Sequence, residues 1–281
     1  MECMTLIKSV LRAPFVYRAR FRDRAAGRSA AHFLSIVCIF RNEAVYLDEW
    51  LRFHIGAGVE HFYLYNNFSE DDFAAVLDPY LARGLVTLYD WPIEVGQLPA
   101  YRHCVKNHAL DSIWMAFIDV DEFLFSPDCI SLREILPAYA EFPAVMVHSP
   151  YFGSAGIDAR PPVPITRAFT KRAPLSRASA KTIANPRWIY AIRNVHAFKY
   201  WQGTAVDTDM KPFDAGTVRL DKLRLNHYWS RSLQDLAIKI ARGDASTATR
   251  RDPNWHYQFE AGLNSELDLS ILPSLRKVFP D

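Results

Sequence analysis

The chain has 281 residues, half of them hydrophobic and 14% aromatic, with a formal net charge of +2. That is enough apolar material for a large core, and the near-neutral charge argues against a nucleic-acid binder. Four cysteines, Cys3, Cys38, Cys104 and Cys129, stand far apart without C-x-x-C pairing, so neither a zinc site nor a disulfide framework is expected, as suits a reducing cytoplasm.

Residues 1–30 form a basic leader. Lys8, Arg12, Arg18, Arg20, Arg22, Arg24 and Arg28 are interleaved with Leu6, Ile7, Val10, Leu11, Phe15 and Val16. Such a segment can contact the anionic inner face of a membrane peripherally, or remain a solvated tail. No stretch approaches the roughly 20 apolar residues that span a bilayer, and Lys8, Arg12 and Pro14 interrupt any signal-like core. The expectation is a cytoplasmic protein, peripheral to the membrane at most.

From residue 31 the pattern changes. His32–Phe40 is a continuous apolar run, as in a strand buried on both faces. Tyr46–Gly58 reads as a helix with Leu47, Trp50, Leu51 and His54 on one stripe. Glu60–Tyr65 and Leu85–Tyr89 read as strands on either side of a helix at Phe73–Ala82. A helix at Tyr101–Leu110 precedes a fourth strand, Trp114–Ile118. Strands and helices alternating at this spacing predict an α/β fold with a mostly parallel, doubly wound sheet. Residues 31–140 would be the nucleotide-binding half and 141–250 a smaller, mixed, acceptor-facing half. In the latter, Lys171–Lys181 reads as a mobile flap, with a lid over 171–185, and short strands are expected near Arg187–Phe198 and Thr217–Asn226. Leu233–Ala241 is a helix stopped by Gly243, and the tail, 251–281, carries one short helix.

The chemistry centres on Asp119-Val120-Asp121, which interrupts the apolar run W-M-A-F-I-D-V-D-E-F-L-F. On an extended segment, residues i and i+2 point to one side. Both carboxylates would then project at the carboxyl end of a strand, where open α/β sheets bind ligands. Two close carboxylates repel unless a cation separates them, and Mg²⁺ or Mn²⁺ is commonly held by one or two carboxylates plus substrate phosphates. Arg41, Asn42 and Glu43 follow the first strand, and Asn66 and Asn67 the second; each cluster either contacts a nucleotide or merely starts a helix. Gln97 and Tyr101 could line the same pocket or lie on an ordinary helix surface. His227, in Asn226-His227-Tyr228, could complete a metal shell or be a core histidine, with His196 as its competitor.

The order F-R-N-E-x-x-Y-L-x-E-W-L-x-F-H-x-x-x-G-V-x-H-F-Y-L-Y-N-N-x-S-x-D, then I-D-V-D-E-F, then N-H-Y-W-S-R-S, resembles glycosyltransferase family 92 and its bacterial relatives, from about His32 to Gly243. The resemblance implies a GT-A, Rossmann-like fold, a UDP-sugar donor (UDP-galactose in similar enzymes), a divalent metal and inverting transfer. It maps Asp119 and Asp121 onto the D-x-D motif and His227 onto the family's histidine. The acceptor would be a glycan or lipid-linked glycan in surface polysaccharide assembly. Lys181 and Arg231 are candidates to stabilise the leaving diphosphate, and Asp158, Asp207 and Asp209 are candidate catalytic bases. Two alternatives stand beside this reading: a non-catalytic nucleotide-sugar or glycan-binding module, and a metal-dependent nucleotidyl- or phosphotransferase.

Overall fold

A computed structural model describes residues 29–243 and 251–279. The basic leader, apart from residues 29 and 30, therefore lies outside the described residues. Among those described, no helix is long and apolar enough to cross a membrane.

The first half follows the expected alternation. It runs β1 (His32–Phe40), α1 (Ala44–Ala57), β2 (His61–Asn66), α2 (Phe73–Ala82), β3 (Val86–Asp90), α3 (Gln97–His108) and β4 (Ser112–Phe117). β1 is buried from Leu34 onward, and its alternation divides the core. Leu34, Ile36, Cys38 and Phe40 pack with Trp50 and Leu51 of α1 and Leu77 of α2. Val37 and Ile39 pack on the opposite face with Tyr101 and Cys104 of α3. Helices thus cover both sheet faces, which is why these strands are apolar throughout rather than alternating. α1 stops at Gly58, whose φ of 104° suits glycine; a Cβ there would also lie 2.4 Å from Ser131 Oγ.

β1 to β4 pair in parallel in the order β3-β2-β1-β4. The chain then turns into β5 (Glu122–Phe125), β6 (Ala144–Ser149), β7 (Tyr151–Phe152), β8 (Lys171–Arg172) and β9 (Ser179–Ala184). A hairpin of β10 (Ile189–Ile192) and β11 (Phe198–Tyr200) follows, then β12 (Arg224–Tyr228), α4 (Leu233–Arg242), α5 (Pro253–Ala261), β13 (Glu266–Leu267) and α6 (Leu272–Val278). β9, antiparallel to β4, and β6, antiparallel in turn to β9, complete a six-stranded sheet, and β13-β8-β7-β12-β5 forms a second, mixed sheet. This is the α/β class anticipated: a mostly parallel sheet covered by helices on both faces, beside a smaller mixed sheet.

Three expectations for the second half are corrected. Residues 171–185 form no flap: β9 lies inside the main sheet between β4 and β6, with Lys181 buried. The span 217–226 contains a strand only from Arg224, and the tail carries two helices, α5 and α6, rather than one.

Candidate functional site

The D-V-D-E segment joins the two sheets. β4 ends at Phe117 and β5 begins at Glu122. The turn between them is closed twice: Glu122 N donates to Asp119 O at 3.0 Å, and Asp119 N donates to the Glu122 carboxylate at 2.9 Å. Behind it, α1 anchors β5. Trp50 Nε1 donates to Glu122 O at 2.9 Å. The buried His54 donates from Nδ1 to Trp50 O and accepts at Nε2 from Leu124 N. Burial lowers the His54 pKa to about 3, so it holds these two bonds as a neutral ring.

The turn corrects the expected geometry of the two aspartates, because the i, i+2 rule needs an extended backbone. Asp119 points toward α3 and β9, accepting from Gln97 Nε2 at 2.8 Å and from Lys181 Nζ at 2.6 Å. Asp121 points toward β12 and α4, where it accepts from Lys239 Nζ at 2.8 Å and lies 3.4 Å from His227 Nε2. Register places His227 directly opposite Glu122 across β12 and β5. Its Nδ1 faces Glu122 Oε1 at 3.4 Å, and neither atom has a hydrogen-bond partner.

The electrostatics sort these acids. Burial raises the Asp121 pKa, but Lys239, His227 and Arg231 outweigh it and hold the carboxyl well below its ordinary range. Glu122, fully buried, is pushed up by burial, which Lys181 only partly offsets. Lys181 stays well above its ordinary value because Asp119 and Glu122 outweigh its burial. Lys239 is lowered by burial despite Asp121. Three carboxylates therefore face two lysines and one histidine.

These groups line a cleft of about 840 Å³ at the carboxyl ends of β1, β2 and β4. Arg41, Glu43, Asn67, Gln97, Val120 and His196 line it too. Asn67 is buried and donates to Trp91 O and Ile93 O, shaping the wall.

Several expected site residues are instead structural. Asn42 accepts from Glu70 N, tying the loops after β1 and β2 together. Asn66 accepts from Ser69 N within its own loop. Tyr101 is fully buried beneath Gln97 and does not reach the cleft. Arg231 is also buried and bonds Glu43 at 2.5 Å, with its guanidinium 3.8 Å from the Tyr46 ring centroid. Asp207 accepts from Asp209 N, Lys211 N and Arg219 Nε, while Asp209 pairs with Arg219 and Lys222. Asp158 is exposed, and none of Asp158, Asp207 and Asp209 lines the cleft. A loop acid engaged by backbone N–H groups serves its own turn, which composition does not reveal.

Sequence reasoning also missed Lys239 and Arg242. Both sit on α4, three residues apart and so on one face. A Ser232–Asp235 capping box fixes where that helix begins. Arg242 bonds Glu43 at 2.7 Å, so the acid after β1 is clamped by two arginines. The i, i+3 spacing of two cations following N-H-Y-W-S-R-S was the available signal.

Among the described residues, no group of three or more His, Cys, Asp and Glu side chains is disposed to enclose a metal. Asp121 with His227 nevertheless offers a hard oxygen and an imidazole nitrogen at the cleft, a donor pair suited to Mn²⁺. With two protein donors, the remaining positions would fall to water and phosphate oxygens.

Comparison with known proteins gives a consistent picture. A family model described as glycosyltransferase family 92 matches residues 35–260. A family 92 protein of Oryza sativa subsp. japonica is 32% identical over 151 residues, covering 52% of this chain and 26% of the relative. One from Ricinus communis is 28% identical over 204 residues, covering 67% and 35%. A galactan β-1,4-galactosyltransferase of Arabidopsis thaliana is 27% identical over 177 residues, covering 56% and 34%. The chain thus spans about a quarter to a third of the length of these curated relatives. Among solved structures, HddC from Yersinia pseudotuberculosis has a TM-score of 0.35 at 10% identity, covering 62% of this chain and 90% of that one. Glucosyl-3-phosphoglycerate synthase from Mycobacterium tuberculosis has 0.29 at 17% identity, covering 56% and 58%. Likeness at that level fixes neither donor nor acceptor.

Proposed function

Because the chain belongs to glycosyltransferase family 92, we propose that it moves a hexose, preferentially galactose, from a UDP-sugar to a hydroxyl of a glycan or lipid-linked glycan. Surface polysaccharide assembly is the setting this implies. The observation that carries the reading is the Asp121–His227 pair, 3.4 Å apart in a cleft of about 840 Å³ at the carboxyl end of the parallel strands. Mn²⁺ or Mg²⁺ held there would, when bound, neutralise charge developing on the departing diphosphate. The preference for galactose is supported by the similarity to the Arabidopsis galactan galactosyltransferase.

The chain's own groups divide the work. Asp121 is ionised at any pH near neutrality, because its neighbours hold its carboxyl below the ordinary range, so it is competent as a ligand without prior deprotonation. Lys239 and Arg242, on one face of α4, set fixed positive charge on the cleft wall where a diphosphate would lie. Asp119 is immobilised by Gln97 and Lys181, which presents its carboxylate rigidly to the nucleoside side. Glu43, clamped between Arg231 and Arg242, fixes the loop after β1 against α4. Transfer is expected to invert the anomeric centre, with the hydroxyl attacking opposite the diphosphate.

Thermal shift against UDP, UDP-galactose, UDP-glucose, CTP and ATP, with and without Mn²⁺, tests the binding half. Ligand at about 100 times its Kd adds about 2.7 kcal/mol, and that gain should appear for UDP compounds only with metal. Release of UDP from UDP-galactose tests the chemical half. Stabilisation by CTP or ATP instead would indicate a nucleotidyltransferase, and UDP binding without turnover a binding module.

A further inference from the structure

A second cavity, of about 690 Å³, opens beside the donor cleft. Met146 and His148 of β6, Tyr190 of β10, Phe198 of β11 and Phe213 line it, and the two cavities share His196 and Ser179. Its wall is aromatic and aliphatic, the surface on which the apolar faces of sugar rings stack. Tyr190 presents an exposed ring, supported by Trp201 at a centroid distance of 5.1 Å.

His196 occupies the turn of the β10–β11 hairpin at the junction, and three sets of bonds fix it there. Asn194 Oδ1 accepts from His196 N and Ala197 N at 2.9 and 2.7 Å. Thr182 Oγ1 donates to His196 O at 3.2 Å. The ring Nδ1 lies 2.8 Å from Ala180 O. A carbonyl only accepts, so Nδ1 carries the proton, and the neutral ring keeps its lone pair on Nε2. Desolvation of the ring by its neighbours, together with the Lys181 charge, lowers the His196 pKa and favours that neutral form.

The other basic groups of the cleft are engaged or remote. Asp119 and Glu122 are held by Lys181, and Asp121 by Lys239. Glu94 lines only the donor cleft, on the loop between β3 and α3. His227 lies against Asp121 and Glu122. His196 alone among these both reaches the second cavity and has an uncommitted acceptor nitrogen among the described residues.

We infer that the second cavity receives the terminal sugar of a glycan acceptor and that His196 Nε2 is the base that deprotonates the attacking hydroxyl. The inference rests on the donor reading above. The acceptor O–H gives its proton to Nε2 while the oxygen's electron pair forms the bond to the anomeric carbon. The bond from that carbon to the diphosphate oxygen breaks, and its electron pair leaves on UDP. The imidazolium then returns the proton to water. When no acceptor is present, water takes the hydroxyl's place at the same base.

The test uses the full chain with Mn²⁺ and UDP-galactose, following UDP release without acceptor and with β-1,4-galactobiose as probe. His196→Gln should lower UDP release at saturating donor by on the order of 100-fold, while the thermal shift produced by UDP and Mn²⁺ stays that of the wild type. Tyr190→Ala should abolish or weaken stimulation by galactobiose, raising its KM by on the order of tenfold. Release by His196→Gln within threefold of wild type would overturn the role of His196. Unchanged galactobiose stimulation in Tyr190→Ala, or none in the wild type, would overturn the acceptor assignment. Absence of UDP release by the wild type would remove the donor reading itself and this inference with it, an outcome distinct from either variant's failure.

Discussion

Replacing Lys239 with methionine isolates the pairing that links α4 to the D-x-D turn. Lys239 Nζ is 2.8 Å from Asp121 Oδ2, with each side chain 14% exposed. At an effective dielectric near 20, unit charges at that separation attract by about 6 kcal/mol. Part of that offsets the cost of burying the ammonium, as the lowered Lys239 pKa shows. His227 and Arg231 remain beside Asp121 in the variant. The expected loss is therefore about 2–3 kcal/mol, below the full penalty for breaking a buried pair. For a chain of this size that lowers Tm by roughly 5–10 °C. Methionine keeps the packing of the aliphatic stem, so the loss reports charge. Mn²⁺ should now restore more stability than it gives the wild type, because it no longer competes with an ammonium for Asp121. Its apparent affinity should rise by about tenfold, equivalent to about 1.4 kcal/mol. Differential scanning fluorimetry over a Mn²⁺ series measures both quantities. Equal melting temperatures together with equal Mn²⁺ midpoints would refute the assignment of Lys239 as a stand-in cation at Asp121.

Further outcomes follow from the same geometry. Asp121→Asn should lose the Mn²⁺-dependent stabilisation by UDP and lower UDP release at least 100-fold, whereas Asp158→Asn, away from the cleft, should stay within twofold in the same assay. Glu43→Ala leaves Arg231 buried without its carboxylate and releases Arg242, and should cost about 3–5 kcal/mol in urea unfolding. Asp268, bonded to Arg172 and Arg224, has its pKa lowered to about 2. A depressed carboxylate contributes stability above its unfolded value near 3.9 and loses it as pH falls through the folded value. Asp268→Asn should therefore cost about 1–2 kcal/mol at pH 7 after solvent screening, with the gap to wild type closing between about pH 4 and pH 2 in urea titrations.

What the sequence disclosed follows from burial. β1, β2 and β4 were readable because parallel strands covered on both faces are unbroken apolar runs, and charges inside such a run, Asp119 and Asp121, stand out. Lys171–Lys181 reads as a flap because it is basic and Ser-rich, yet its end enters β9. Its lysine is tolerated inside only because Asp119 and Glu122 approach from another strand, a tertiary fact with no local trace. Lys239 was hidden for the opposite reason: a charged residue on an amphipathic helix is ordinary, and only the capped start of α4 aims it at Asp121. Asp207 and Asp209 are candidates because they fall in the acceptor-side half, yet they close their own turn with Arg219 and Lys222. The D-x-D geometry failed at one step. The backbone turns after Asp119, so the two carboxylates at the cleft engage different partners, Gln97 and Lys181 for one, Lys239 and His227 for the other.

Pulsed electron paramagnetic resonance of the protein with Mn²⁺ and UDP reads the metal's neighbours directly. The account predicts a directly bound ¹⁴N that disappears in His227→Gln, together with a ³¹P coupling from the diphosphate. Manganese that binds UDP on this protein with no nitrogen coupling, or with one that survives His227→Gln, would contradict it.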